Sequence, residues 1–294
     1  MHSKIIVMSF PIRPLKPKDF PPLLTEIPDK PKLLYLRGQM PGPEYKMLCV
    51  VGSRACTPYG RRMTSSLIAG LAPYPVAIVS GMALGIDAEA HKAALDVGLP
   101  TVAVLPSSID DPSIYPSSNR ALAQRILARG GALISEMEGP YKAAIHDFPK
   151  RNRIVAGMAT ATLIPEAGEK SGTLITARLA LDYNREVLAI PHELGRETGM
   201  GVNRLLREGA TLVRNSDDIL QVLGIVPSDK PTQVPLPTDL TEVEIKVLHS
   251  LSEAMVRDEL IDRAALSAQE TNVALSSLLI RGLIVERLGK IERV

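Results

Sequence analysis

The sequence predicts an α/β protein: an extended Rossmann-like, doubly wound, mostly parallel sheet, followed by a small C-terminal winged-helix domain. Three observations predict it. Between Met47 and Leu223 seven short apolar runs alternate with segments of helical character, and continuous apolar runs are what strands covered on both faces look like. Two proline clusters flank that region, at 1–46 and 226–239. Beyond the second, three helical periodicities precede a short tail with Gly289-Lys290 at its middle.

Residues 1–46 carry prolines from Pro11 to Pro43, which excludes long helices and predicts an extended strap packed on the main domain. The main domain spans 47–225, with strands predicted at 48–51, 76–79, 102–105, 132–135, 162–165, 187–190 and 211–213. Helices are predicted at 58–71, 86–97, 119–129, 173–183, 202–207 and 216–223, several opening near Pro, Ser, Thr or Asn. Asn152 and Arg153 open a further short helix through Met158. Pro227, Pro231, Pro235 and Pro237 make 226–239 a semi-rigid linker. In 240–294, Val243, Val247, Leu248 and Leu251 lie at helical spacing, and Thr241-x-x-Glu244 offers a capping box. A second helix covers 256–264. Ser267-x-x-Glu270 caps a third that runs to Arg281 and stops at Gly282, leaving 283–294 as a two-stranded wing.

With 294 residues and 45% hydrophobic content the chain can bury a full core. The net charge of +2 announces no partner by itself. Its distribution says more: residues 1–239 hold 27 Lys and Arg against 23 Asp and Glu, residues 240–294 hold 7 against 9, so a polyanion belongs to the larger part. Cys49 and Cys56 have no partners at metal-ligand spacing, no disulfide is expected, and Cys49 reads as a buried strand thiol. The longest early apolar run, 5–8, is too short for a signal peptide or a membrane span. The expected home is a reducing cytoplasm.

The most informative stretch is Phe148-Pro149-Lys150-Arg151-Asn152-Arg153, three cations beside one of only 3 Phe residues. An aromatic face for a base next to positive charge for phosphates is what single-stranded nucleic acid requires. In an open parallel sheet, ligands bind beyond the carboxyl ends of the strands. The loops there are rich in Gly, Ser and Thr: Gly52-Ser53-Arg54, Ser80-Gly81-x-x-x-Gly85-Ile86-Asp87, and 166–173 with Lys170-Ser171-Gly172-Thr173. Glycine lets an oxyanion approach backbone amides and a following helix presents its positive end, so the three loops predict a phosphate-binding rim. Arg54 either contacts phosphate, the favoured reading, or pairs with a carboxylate such as Asp87. Asp87 is expected to cap its helix. His91, one turn on, is expected to fix packing or a hydrogen bond, not to act as a base. His146 is a minor candidate for the binding surface, and no histidine has metal spacing. Neither a Walker A loop nor Gly-x-Gly-x-x-Gly is present, so no nucleotide cofactor is expected.

As an ordered set, Gly52-Ser53-Arg54, Ser80-Gly81-x-x-x-Gly85-Ile86-Asp87-x-x-x-His91, Phe148-Pro149-x-Arg151-Asn152-Arg153-Ile154-x-Ala156-Gly157 and Lys170-Ser171-Gly172-Thr173-Leu174-Ile175-Thr176-Ala177 closely resembles the DNA-processing protein A (DprA/Smf) family, from about Leu24 to the C-terminus. The resemblance implies a non-catalytic protein that binds single-stranded DNA, forms a homodimer and helps load the RecA recombinase onto DNA taken up in transformation. It places Arg54 and Lys170 on phosphates, Phe148 on a base, and Arg151 and Asn152 in the pocket wall, with amides near Gly52, Gly81 and Gly172 completing it. The implied DNA-binding set also includes Ser53, Gly85, Asp87, His91, Lys150, Arg153, Ser171 and Thr173. Gly201-x-Asn203 through Gly209-Ala210 matches the part of the sheet domain that carries the family's dimer contacts. The chain departs from the pattern in lacking room for an N-terminal helical domain, in its loop 107–116, and in Pro191-His192 where Pro-Gly is common. These departures bear on partner contacts more than on DNA.

Two other readings compete. A nucleotide phosphoribohydrolase uses a Gly-Gly-x-Gly-Thr-x-x-Glu loop, but alignment on Gly172-Thr173 puts Thr176 where its carboxylate belongs. A ligand-sensing winged-helix regulator needs a recognition helix with cations, and 267–281 holds only Glu270 and Arg281 as charged residues.

Overall fold

The computed structural model describes residues 10–226, 240–251, 255–280, 283–287 and 289–293, in two compact units that divide at Pro227. The linker expected at 226–239 and Gly282 fall outside them, except for Val226.

The first unit opens with β1 (Ile12–Leu15), α1 (Pro22–Glu26) and β2 (Leu34–Gly38). There follow β3 (Lys46–Val50), α2 (Pro58–Ala69), β4 (Val76–Ser80), α3 (Ile86–Asp96), β5 (Thr101–Val104), α4 (Arg120–Ala128), β6 (Ala132–Ser135), α5 (Asp147–Met158), β7 (Ala161–Ile164), α6 (Thr173–Asp182), β8 (Glu186–Ala189), α7 (Met200–Arg207), β9 (Thr211–Leu212) and α8 (Ser216–Val222). The strands form one sheet in the order β1-β2-β6-β5-β4-β3-β7-β8-β9. From β6 to β9 every pairing is parallel, whereas β1 and β2 run antiparallel along one edge. Residues 12–38, where the prolines predict a strap, therefore extend the sheet by two strands.

Alternate residues of each strand face opposite sides, and both sides are apolar. Met47, Cys49, Ala77 and Val79 pack with Ile154, Val155, Ala177 and Ala180, so α5 and α6 cover one face. Leu48, Val50, Val76 and Ile78 pack with Leu67, Ile68, Ala90 and Ala94, so α2 and α3 cover the other. Each fully buried side chain of the Leu48 or Ile78 kind contributes about 1.5–3 kcal/mol.

The chain builds from β3 outward through β4, β5 and β6, then returns to the opposite side of β3 with β7. The loops leaving β3 and β7 thus diverge to opposite faces and open a crevice at their carboxyl ends. Local sequence fixes the entry to α2: the Thr57 hydroxyl accepts the Gly60 N–H at 3.1 Å and Pro58 begins the helix.

The second unit holds α9 (Glu242–Ser250), β10 (Met255–Val256), α10 (Arg257–Ala264), α11 (Ala268–Ile280), β11 (Ile284–Arg287) and β12 (Lys290–Arg293). Both capping boxes form: Thr241 with Glu244, and Ser267 with Glu270, whose amide reaches the Ser267 hydroxyl at 3.2 Å. Three helices then a hairpin is the element order of a winged helix. The sheet has three strands where two are predicted, because β10 pairs with β12, Met255 facing Ile291.

Candidate nucleic-acid interface

The crevice between the β3 and β7 loops is an open cleft of about 860 Å³. Gly52, Ser53, Arg54, Asp87, Phe148, Arg151, Asn152, Lys170, Ser171, Gly172 and Thr173 line it. Eleven of the residues implied by sequence are thus brought together by two loops and the beginnings of three helices.

Phe148 stands in the first turn of α5. That helix begins at Asp147, five residues before the predicted start. Pro149 is compatible with this because first-turn amides have no intrahelical partner. Asp147 anchors the turn, accepting the Tyr141 hydroxyl at 2.7 Å and the Ala144 N–H at 2.8 Å. The half-buried Phe148 ring is met edge-on by Tyr115, centroids 5.6 Å apart with planes at 76°, and by the Arg54 guanidinium 5.1 Å from its centroid. Arg54 is in no ion pair among the described residues, Asp87 included, and is exposed. A planar group stacking on the face under Arg54 would displace the guanidinium and leave it free for an anion. Lys170 is likewise exposed, and no ion pair engages it among the described residues.

Beneath this rim lies a buried layer. Arg151 is 7% exposed; its guanidinium donates to the carbonyls of Gly81 and Val104 and, through Nε at 3.2 Å, to Asn152 Oδ1. Burial pulls the Arg151 guanidinium down to about 10, with Asp87 opposing and Arg54 reinforcing that shift. Asp87 is buried too, and burial raises its carboxyl above the ordinary range, while Arg151 and the N–H groups of Ala83, Gly52 and Gly81 hold it back. A Cβ at Gly81 would come within 2.6 Å of both the Arg151 guanidinium and Asp87 Oδ2, so only glycine fits between them. Gly85, at φ +77°, lets its backbone lie where a Cβ would be 2.2 Å from the Ser53 carbonyl. Gly81 and Gly85 therefore shape the cleft from behind and are not part of its wall.

Three residues of the set implied by the resemblance stand outside the cleft wall, His91 in the packing and hydrogen-bonding role that its spacing predicts. His91 is 0% exposed and its Nδ1 lies 2.7 Å from Thr101 Oγ1. The Thr101 hydroxyl donates to the Ile78 carbonyl at 3.1 Å, so His91 is the donor in that contact. Burial drives the His91 pKa down to about 3: it is a neutral core residue, not a DNA contact. Arg153 pairs with Glu136 at 2.6 Å and with Asp29 at 3.8 Å, tying α5 to the N-terminal segment. Lys150 is exposed but outside the cleft wall.

The amide rim also differs from expectation. The N–H groups of Gly52 and Gly81 serve Asp87, and that of Ser53 donates to the Glu166 carbonyl at 2.8 Å. At α6, the N–H groups of Thr173, Leu174 and Ile175 are taken by Ser171 Oγ, the Ser171 carbonyl and the Gly172 carbonyl, at 3.1–3.2 Å. Most of the amides expected to be open are thus engaged, and the exposed positive charge lies on side-chain cations. The wall holds Arg54, Arg151 and Lys170 against Asp87 and Glu197, and the two exposed cations stand at its mouth.

Sequence reasoning missed Glu166, which is fully buried and accepts the Thr57 N–H at 3.1 Å at the start of α2. It also missed Tyr115, Ile145, Ile175 and Glu197 as wall residues. For Tyr115 the signal was its place in a loop beyond β5, at the same sheet end as the chosen loops.

Comparison with known proteins places the chain in a family. The sequence pattern of the family described as DNA recombination-mediator protein A matches residues 12–224. The chain is 38% identical over 226 residues to Protein Smf of Escherichia coli (strain K12), covering 76% of this chain and 60% of that protein. It is 38% identical over 197 residues to DNA processing protein DprA of Streptococcus pneumoniae (strain ATCC BAA-255 / R6), covering 67% of this chain and 68% of that one. Among solved structures it is similar to the X-ray structure of the Streptococcus pneumoniae DNA processing protein A, with a TM-score of 0.67, 36% identity, and 72% and 74% of the two chains covered. It is also similar to DNA processing protein A from Helicobacter pylori, in a structure reporting that protein's single-stranded DNA binding mode (TM-score 0.64, 32% identity, 73% of this chain and 96% of that one). The matched region spans about three fifths of the Escherichia coli relative's length. From the pattern match and these relatives together, the chain belongs to the DNA recombination-mediator protein A family.

Proposed function

We propose that the cleft binds single-stranded DNA with little regard to sequence, and that the protein serves DNA processing and recombination in transformation, protecting the strand and helping to load the RecA recombinase as a cytoplasmic homodimer. The observation that carries the binding claim is Phe148, half-buried at the switch-point cleft, with the exposed cations Arg54 and Lys170, in no ion pair among the described residues, on the same wall. An aromatic ring serves any base because every base has a π-face, and cations serve any phosphate. The Helicobacter pylori relative, whose single-stranded DNA binding has been studied structurally, supports the choice of ligand. The recombination-mediator description of the family supports the handover.

The proposal contains no catalytic step. Asp87, the buried carboxylate of the wall, is engaged by backbone amides and held beside Arg151. Thr176 lines the cleft where the phosphoribohydrolase loop would need a carboxylate. For the second unit we propose a protein-contact role, since the exposed positions of α11, Gln269, Asn272, Val273 and Ser276 among them, carry no cation and Glu270 is acidic. No helix among the described residues is long and apolar enough to cross a membrane.

Fluorescence anisotropy with a labelled oligonucleotide, alone or annealed to its complement, tests the proposal. Tighter binding of the single strand, weakening as salt rises, is expected. Equal or tighter binding of the duplex contradicts it.

A further inference from the structure

We infer that Tyr115 is a second base-contacting side chain of the cleft, set beside Phe148 so that an unpaired strand meets two rings. This rests on the single-strand reading above and adds to it a residue that neither the motifs nor the loop glycines pointed to.

Tyr115 is 49% exposed, while the two residues before it, Ser113 and Ile114, are 6% and 2% exposed. Its hydroxyl has no hydrogen-bond partner among the described residues, and its ring lines the cleft. The loop that presents it is cross-linked on all sides. Asp110 accepts the hydroxyls of Ser108 and Ser113 at 2.5 and 2.8 Å. Ser108 Oγ accepts the Tyr141 N–H at 2.8 Å, and Arg37 reaches from β2 to the Ile109 carbonyl at 3.2 Å and to Asp111. Just beyond, Asn119 donates to the Met82 carbonyl at 2.8 Å. A loop so fixed has little ordering left to lose when ligand arrives. The exposed half of the ring is therefore available to a ligand without rearrangement of the loop.

The contact with Phe148 leaves room for a simpler role, in which Tyr115 only braces that ring. The angle decides which base Tyr115 can meet, and the effect of replacing Tyr115 in a Phe148→Ala background separates the two roles. With planes at 76° the rings cannot both lie parallel to one base, so Tyr115 takes a neighbouring base of the same strand, not the other face of the base on Phe148.

The test uses the full chain, a fluorescein-labelled oligothymidylate, and an abasic strand of the same length. Tyr115→Leu keeps an apolar side chain in place and should weaken oligothymidylate binding roughly tenfold, the effect of one lost aromatic–base stack. Tyr115→Phe should restore it. Binding of the abasic strand should be unchanged in both. In a Phe148→Ala background, Tyr115→Leu should still weaken oligothymidylate binding by at least about threefold, since a separate stack remains to be lost. Wild-type affinity in Tyr115→Leu overturns the inference, as does an equal loss on the abasic strand. Disappearance of the loss in the Phe148→Ala background also overturns it and leaves Tyr115 as a brace. If the wild-type chain binds neither strand, the functional proposal falls as well; if it binds and Tyr115 is indifferent, only this inference falls.

Discussion

The cleft's exposed rim and its buried floor are built from the same residue types and use them in opposite ways. On the rim, Arg54 and Lys170 are exposed and in no ion pair among the described residues, and Phe148 shows part of its ring. On the floor, Arg151 is spent on the carbonyls of two strand ends, and Asp87 on the amides of two loops. A motif that runs Phe148-Pro149-Lys150-Arg151-Asn152-Arg153 is therefore several devices: a ring at the mouth, a guanidinium in the floor, and a third cation that fastens the N-terminal segment. Binding should follow the rim and stability the floor.

The largest effect expected is on stability. Arg151→Ala strips the buried Asp87 of its nearby cation and leaves two strand-end carbonyls unpaired, so urea unfolding should show a loss of about 3–5 kcal/mol. A loss below about 1 kcal/mol together with abolished single-strand binding would move Arg151 from floor to rim.

Acid should act on the floor as well. His91 has a folded pKa of about 3, below the unfolded value of about 6.5, so the unfolded chain binds the proton first. Its contribution is whole above about pH 6.5 and is lost as pH falls from there toward about 3, amounting to about 3 kcal/mol by pH 4.5. Replacement by Leu should flatten that stretch of the stability profile. An equally steep profile in His91→Leu would assign the acid sensitivity to other groups.

On the rim, Phe148→Ala should weaken single-strand binding by about 1–3 kcal/mol and change the unfolding midpoint less than Arg151→Ala does. Unchanged affinity would remove the stacking claim. The smallest effect is Arg54→Glu, which should lower the slope of log affinity against log salt by about 1 as a phosphate contact is lost. An unaltered slope would leave Arg54 as a lid on the Phe148 ring. Arg153→Met is the control: its Glu136 partner is left unpaired, so stability should drop while affinity holds.

The division between rim and floor was only half legible in the sequence. The seven parallel strands were, because burial on both faces makes them continuous apolar runs such as Val76-Ala77-Ile78-Val79. Strands β1 and β2 were not. Ile12-Arg13-Pro14-Leu15 carries a proline and exposes three of its four residues, which edge strands tolerate and periodicity does not flag. The start of α5 at Asp147 lies five residues before the expected one, because Pro149 is accepted in the first turn and marks no boundary there. At the site, residue types and loop positions showed where the cleft lies, since glycine and cation loops at strand ends gather at one sheet edge by topology alone. What each cation does was not visible: the partners of Arg153 are Glu136 and Asp29, 17 and 124 positions away, and those of Arg151 are strand carbonyls. Likewise the amides near Gly52 and Gly81 read as open to a phosphate, because nothing in the spacing shows that Asp87 reaches them first.

The most direct measurement pairs single-strand affinity with thermal unfolding for the double variant Arg54→Glu and Lys170→Glu. Loss of oligothymidylate binding with an unfolding midpoint equal to the wild type is expected if exposed cations at the cleft mouth grip the strand. Wild-type affinity in that variant, with the fold intact, would contradict it.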